Sequence, residues 1–194
     1  MLNLDNAGVA NVNLAELIRT RRSVSAFRPD PIPDGIVESL LDIAVYAPNH
    51  RMTEPWRFVY MTGQAVADYA AIRRDMALPG FAKLDDATRE TAAVGTYRKF
   101  ANVPAYLLVI MTVNPNAEIA EEDYGACAAL IQNFLLLAWA QGIGSCWKTF
   151  KNDARLKSFV GLQDTERVAG IIHLGYPAET PTSTRKGVQF THLP

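Results

Sequence analysis

Three stretches of the chain carry residue types whose spacing could do chemistry. The first is Arg21-Arg22-Ser23-Val24-Ser25, directly after a predicted helix. Two guanidiniums offer forked, charged donors and two hydroxyls offer adaptable ones, a combination that suits a phosphate. The same residues also read as a solvated basic helix end that complements the helix dipole. The second stretch runs from Ala47 to Trp56, where Pro48 and Pro55 pin a polar loop containing Asn49, His50, Arg51, Thr53 and Glu54. A rigid loop between a helix and a strand can present a ligand contact or serve as a plain connection. The third is Gly142-Ile143-Gly144-Ser145-Cys146-Trp147-Lys148-Thr149. Its glycines would let backbone approach a flat ligand, Trp147 could pack on an aromatic ring, and Lys148 adds a cation. A core Trp beside a surface Lys is the other reading.

Other chemistries lack their residues. His50, His173 and His192 are far apart and show no metal-ligand spacing, so no metal site is expected. There is neither a GxSxG elbow nor a GxxxxGK[ST] phosphate loop. Gly142-Ile143-Gly144 follows a helix instead of a strand, the wrong context for a dinucleotide fingerprint. Cys127 and Cys146 have no CxxC partner and read as small buried apolar residues. A nucleophilic Cys146 would need a base, and none is identifiable.

The elements that must position these stretches follow from periodicity and turn chemistry. Asn13 to Glu16 has capping-box spacing and opens a helix to about Thr20. Pro29, Pro31 and Pro33 then forbid helix, and Asp34 is the expected N-cap of a second one with stripe Ile36, Val37, Leu40, Leu41 and Ala44. A strand is predicted over 56–61, closed by Gly63. Two amphipathic helices follow over 64–78 and 83–100, then a buried strand over 105–113. Glu121-Glu122-Asp123 is the expected acidic first turn of a long helix reaching about Gln141, with Gly142 as its C′ residue. A short strand over 145–149, a short helix over 153–160 and a buried strand over 168–175 complete the reading. About six helices and four strands in mixed order favour α+β over a doubly wound parallel sheet.

Composition bounds the rest. The chain has 194 residues with 19 Lys+Arg against 20 Asp+Glu, a net charge of −1, which speaks for one domain (1–194) and against a nucleic-acid binder. Residues 1–12 read as a flexible N-terminal extension without signal-peptide character. Two cysteines fit a reducing compartment, and a cytoplasmic location is expected. Residues 125–140 are apolar almost all the way round. They are too short for a membrane span and are interrupted by Gln132 and Asn133, so no membrane partner is expected.

Taken in order, RRSVSAFRPDPIP (21–33), APNHRMTEPWRFV (47–59) and YGAC (124–127) with IQNFLLLAWAQGIGSCWKT (131–149) resemble the nitroreductase family of flavin enzymes, over residues 13–178. The resemblance implies an α-β sandwich, with a central mixed, mostly antiparallel sheet flanked by helices, in an intertwined homodimer. It implies FMN at the dimer interface and NAD(P)H as reducing co-substrate. Hydride transfer would pass through flavin N5 to nitroaromatics, quinones or similar small-molecule acceptors, with no catalytic side chain. Arg21, Arg22, Ser23 and Ser25 would hold the cofactor. Pro48, Asn49 and His50 would reach it from the partner subunit. Cys146, Trp147 and Lys148 would run beside the ring, and Arg185 would add a phosphate contact. Many relatives carry Lys or Arg where this chain has Ser25, which makes Lys148 the candidate replacement cation. A non-catalytic flavin-binding or sequestering protein, and dehalogenase or flavin-fragmenting chemistry, are the alternatives. The resemblance predicts that the long apolar helix meets its own sheet on one face and a second subunit on another, with Gly125, Ala126, Ala128 and Ala129 small enough for close helix approach.

Overall fold

The computed structural model describes residues 13–193, so the expected N-terminal extension lies outside the described residues. Helices α1 (Leu14–Thr20) and α2 (Ile36–Ala44) precede strand β1 (Trp56–Thr62). Helices α3 (Gly63–Ala77) and α4 (Asp86–Ala101) lead to β2 (Ala105–Thr112), and α5 (Ala117–Ala140) to β3 (Gly144–Lys148). Helix α6 (Ala154–Phe159) and β4 (Glu166–Gly175) follow. Six α-helices and four strands among the described residues match the α+β expectation.

The strands pair in the order β1-β2-β4-β3, and every strand pairing is antiparallel. The expected mixed character reduces to one isolated parallel bridge between Ser23 and Ser145. Central β2 is buried from Ala105 to Met111, which is why its sequence reads as an unbroken apolar run. One face of the sheet packs its apolar residues with those of α2 and α5, and the other with those of α3, α4 and α6. On β1, Arg57 reaches across β2 to Glu166 on β4, with paired contacts of 2.6 Å, and so ties three strands together. That bond holds the Glu166 carboxyl below the usual carboxylate range.

Three local expectations are corrected. Asp34 does not cap α2: the cap position is Gly35, whose left-handed φ of 79° costs glycine little and turns the chain after Pro33. Helix α5 starts at Ala117, four residues before the acidic run, because the Asn116 side chain accepts from the amides of Glu118 and Ile119. Gly63 opens α3 with φ 52° and does not merely close β1.

Along α5, Ala126, Cys127, Leu130, Ile131, Phe134, Leu135 and Ala138 are buried against the sheet. The opposite side is half covered. There Leu136, Leu137 and Ala140 join Leu14, Leu17 and Ile43 in an apolar groove. Ala126 belongs to the buried side, so of the small residues expected to meet a second helix only Gly125, Ala128 and Ala129 keep exposed area. No helix among the described residues is long and apolar enough to cross a membrane.

Candidate cofactor site

The basic motif leaves α1 and is clamped at once to the edge of the sheet. Arg21 is the C-cap of α1, Ser23 bridges Ser145, and the Val24 amide donates to the Ser145 carbonyl at 2.9 Å. Val24 is fully buried, and its place requires Gly144: a Cβ there would stand 2.9 Å from the Val24 side chain and 2.9 Å from Pro177. The two glycines of 142–149 therefore do something other than admit a flat ligand. Gly142, with φ 72°, ends α5, and Gly144 admits Val24.

This clamp brings cations together. Burial lowers the Arg21 pKa first, and the neighbouring charges of Arg185 and Arg22 lower it further. The Arg22 Nη1 donates to the carbonyls of Arg19 at 2.6 Å and Arg21 at 2.9 Å, so part of Arg22 does close the helix end. Its Nε is buried with no partner, and so is the Oγ of Ser145, which is 0% exposed. Among the described residues none of Arg21, Arg22 and Arg185 takes part in an ion pair with an acid. Converging cations beside orphaned buried donors fit an anion with several acceptor oxygens. Ser25 is exposed two residues beyond Ser23.

Along β3, Cys146 is buried opposite His173 on β4. Trp147 and Lys148 are exposed at its far end, where they line a cleft with Tyr124, Thr149 and Phe150. The Trp147 indole lies flush on Gly170, where an added methyl group would collide with it. Gly170→Ala is therefore expected to displace the indole and to cost about 1–3 kcal/mol of stability. Denaturant unfolding measures the cost. A shift in tryptophan emission that is absent in a Trp147→Phe background reports the displacement.

The proline loop is built differently. Its three residues Arg51, Met52 and Glu54 have left-handed φ of 62°, 51° and 42°, each costing roughly 1 kcal/mol without glycine. Side chains hold it there. Asn49 Oδ1 accepts from the Glu54 amide at 2.7 Å, and Asn49 Nδ2 donates to Thr53 Oγ1 at 3.0 Å. Thr53 Oγ1 donates to the buried Asp123 at 2.5 Å, and His50 Nδ1 lies 2.9 Å from Glu122. Pro48 is exposed.

Within one chain the loop and the basic clamp do not meet. The loop enters β1 and the clamp sits on β3, opposite edges of the sheet and about 14 Å apart at three strand spacings. The loop anchors at Asp123, whereas α1 is tied to α5 by the bond from Trp139 Nε1 to Thr20 Oγ1, about 24 Å further along the helix. Local pattern does not single out Ser145, Thr53 or Asp123 within their segments. For Asp123 there was a signal: an acid three residues before the small residues that begin the buried stripe.

Comparison with known proteins shows the family and the fold. Residues 18–176 match the model of the nitroreductase family. YfhC of Bacillus subtilis (strain 168), named as an NAD(P)H nitroreductase, is 37% identical over 174 residues, which cover 87% of this chain and 86% of that protein. The structure of a nitroreductase-like family protein from Bacillus cereus superposes with a TM-score of 0.77 at 28% identity, covering 92% of this chain and 93% of that one. A nitroreductase with bound FMN from Bacteroides fragilis NCTC 9343 has a TM-score of 0.69 at 26% identity, covering 95% and 100%. With the basic segment 21–25, the proline loop and the β3 segment all inside the matched span, the chain belongs to the nitroreductase family.

Proposed function

We propose that the protein is an FMN-dependent NAD(P)H oxidoreductase that reduces nitroaromatics, quinones or similar acceptors and works as a homodimer. The observation that carries this reading is the pair of unpartnered buried donors, Arg22 Nε and Ser145 Oγ, where the basic segment is clamped to β3, with Arg185 near enough for its charge to act on Arg21. That donor set matches a ribityl phosphate. The relatives support the choice of cofactor and reductant: one carries FMN, and another is named for NAD(P)H. Bound here, FMN would supply hydride transfer from NAD(P)H to the acceptor.

The chain's own residues bind and orient. Arg21, Arg22 and Arg185 neutralise the phosphate, with Ser23 and Ser25 as adaptable donors along the same segment. Cys146, Trp147 and Lys148 on β3 form the wall for the ring, and Lys148 supplies the cation that Ser25 does not. No acid, base or nucleophile is required of a side chain. Pro48, Asn49 and His50 serve the site of a second copy, since the loop and the clamp of one chain occupy opposite edges of its sheet. The groove of Leu14, Leu17, Ile43, Leu136 and Leu137 and the exposed Val188, Phe190 and Leu193 give the two copies apolar surface to share.

One experiment tests the reading. The purified protein is expected to be a yellow dimer on gel filtration, to release FMN on heating, and to bleach anaerobically with NADH or NADPH. A colourless protein that cannot be reconstituted with FMN would end it. A yellow protein that neither nucleotide bleaches would instead be a flavin-binding protein without this activity.

A further inference from the structure

We propose that Asp123 on α5 is a positioning residue: acting through Thr53 and Asn49, it sets the left-handed backbone of the proline loop and so the place of His50 at the cofactor. The inference rests on the proposed function only in assigning that loop to the FMN site. Asp123 is 3% exposed, a buried charge on a helix whose neighbouring buried positions are apolar. A carboxylate is not kept in such a place without a partner. Its partner is the Thr53 hydroxyl at 2.5 Å, 70 residues earlier in the chain. Thr53 Oγ1 in turn accepts from Asn49 Nδ2 at 3.0 Å, and Asn49 Oδ1 accepts from the Glu54 amide at 2.7 Å. The relay thus encloses residues 50–53, and both Arg51 and Met52 inside it have positive φ. No glycine relieves that backbone, so the surrounding bonds must over-determine it.

The anchor is a carboxyl group, whose oxygen accepts from the Thr53 hydroxyl. A hydrogen bond to an ionised acceptor is stronger than one between neutral groups. Helix α5 is the rigid element that carries the anchor, and the adjacent Glu122 lies 2.9 Å from His50 Nδ1. Asp123 therefore acts on the loop and touches no cofactor itself.

The test uses the full FMN-loaded dimer with Asp123→Ala, Thr53→Val and the double variant, and Thr53→Ser as the conservative rescue. Hydrogen exchange at residues 49–54 and the FMN dissociation constant are measured side by side. Thr53→Val and Asp123→Ala are each expected to speed loop exchange and to weaken FMN binding, both by roughly tenfold. The double variant should lose no more than the worse single one, and Thr53→Ser should retain both properties. Exchange in β2 and β4 should stay unchanged. Thr53 is exposed, so Thr53→Val keeps the test valid if Asp123→Ala fails to fold. Unchanged loop exchange in Thr53→Val would overturn the relay, as would fully additive effects. Faster exchange with unchanged FMN affinity would overturn its role toward the cofactor. A wild-type protein that binds no FMN would mark failure of the functional reading instead.

Discussion

Arg21→Met is expected to weaken FMN binding by about 10- to 100-fold while leaving the cofactor-free protein at least as stable as the wild type. The two signs come from one cause. The Arg21 guanidinium is half-buried, is crowded by Arg185 and Arg22, and pairs with no acid among the described residues. In the absence of an anion it is therefore a liability: burial and like charge both work against its charged form. A phosphate placed among these cations reverses that balance, and a charge-assisted hydrogen bond lost from it is worth about 1.5–3 kcal/mol, which converts to the affinity change given above. Methionine keeps most of the apolar stem and removes only the charge. Fluorescence titration of FMN gives the affinity, and thermal unfolding of the stripped protein gives the stability. A drop in both would mean that Arg21 serves the fold. The affinity loss should also shrink at high salt, because the site is half open.

Stability is expected to fall by as much as about 3 kcal/mol as pH drops from 6.5 to 4, through His173. The imidazole lies on β4, edge-on to Tyr106 with ring centroids 4.9 Å apart. Burial drives its pKa down to about 4, with smaller contributions from Lys148, Arg73 and Lys99. The sign follows from proton counting. Between pH 6.5 and 4 the unfolded chain binds a proton at this residue and the folded chain does not, so acidification favours unfolding. Below about 4 both states are protonated and His173 adds nothing more. The Glu166 carboxyl, held low by Arg57, loses its contribution at still lower pH, as it protonates through its folded pKa. His173→Gln should flatten the profile between pH 6.5 and 4 while leaving the acid limb in place. Guanidinium unfolding at pH 7, 5.5 and 4.5 measures the difference. A wild-type curve already flat in that window would show that His173 titrates normally.

Much of the fold was readable from local pattern. The unbroken apolar run 105–111 reads as a buried strand, and it is the buried centre of the sheet. The short helix predicted over 153–160 is α6, with the Asp153 side chain accepting from the Arg155 amide at its start and Gly161 at positive φ just past its end, because capping and left-handed turns are decided within a few residues. The start of α2 expected at Asp34 lies instead at Gly35, which the tight turn after Pro33 selects. The start of α5 expected at the acidic run 121–123 lies instead at the earlier Asn116 cap, which leaves Asp123 to face inward.

By itself, the sequence determined the element types, the near-neutral charge, the basic segment at 21–25, and a helix too apolar for a single exposed face. Those properties depend on neighbours within a turn or a strand. The tertiary structure alone decided which distant residues share a space: Arg185 within charge range of Arg21, Val24 over Gly144, Thr53 on Asp123, and the proline loop on the edge opposite the basic clamp. The strand order β1-β2-β4-β3 sets these meetings, and strand order follows from the packing of whole layers, which no short window of residues encodes.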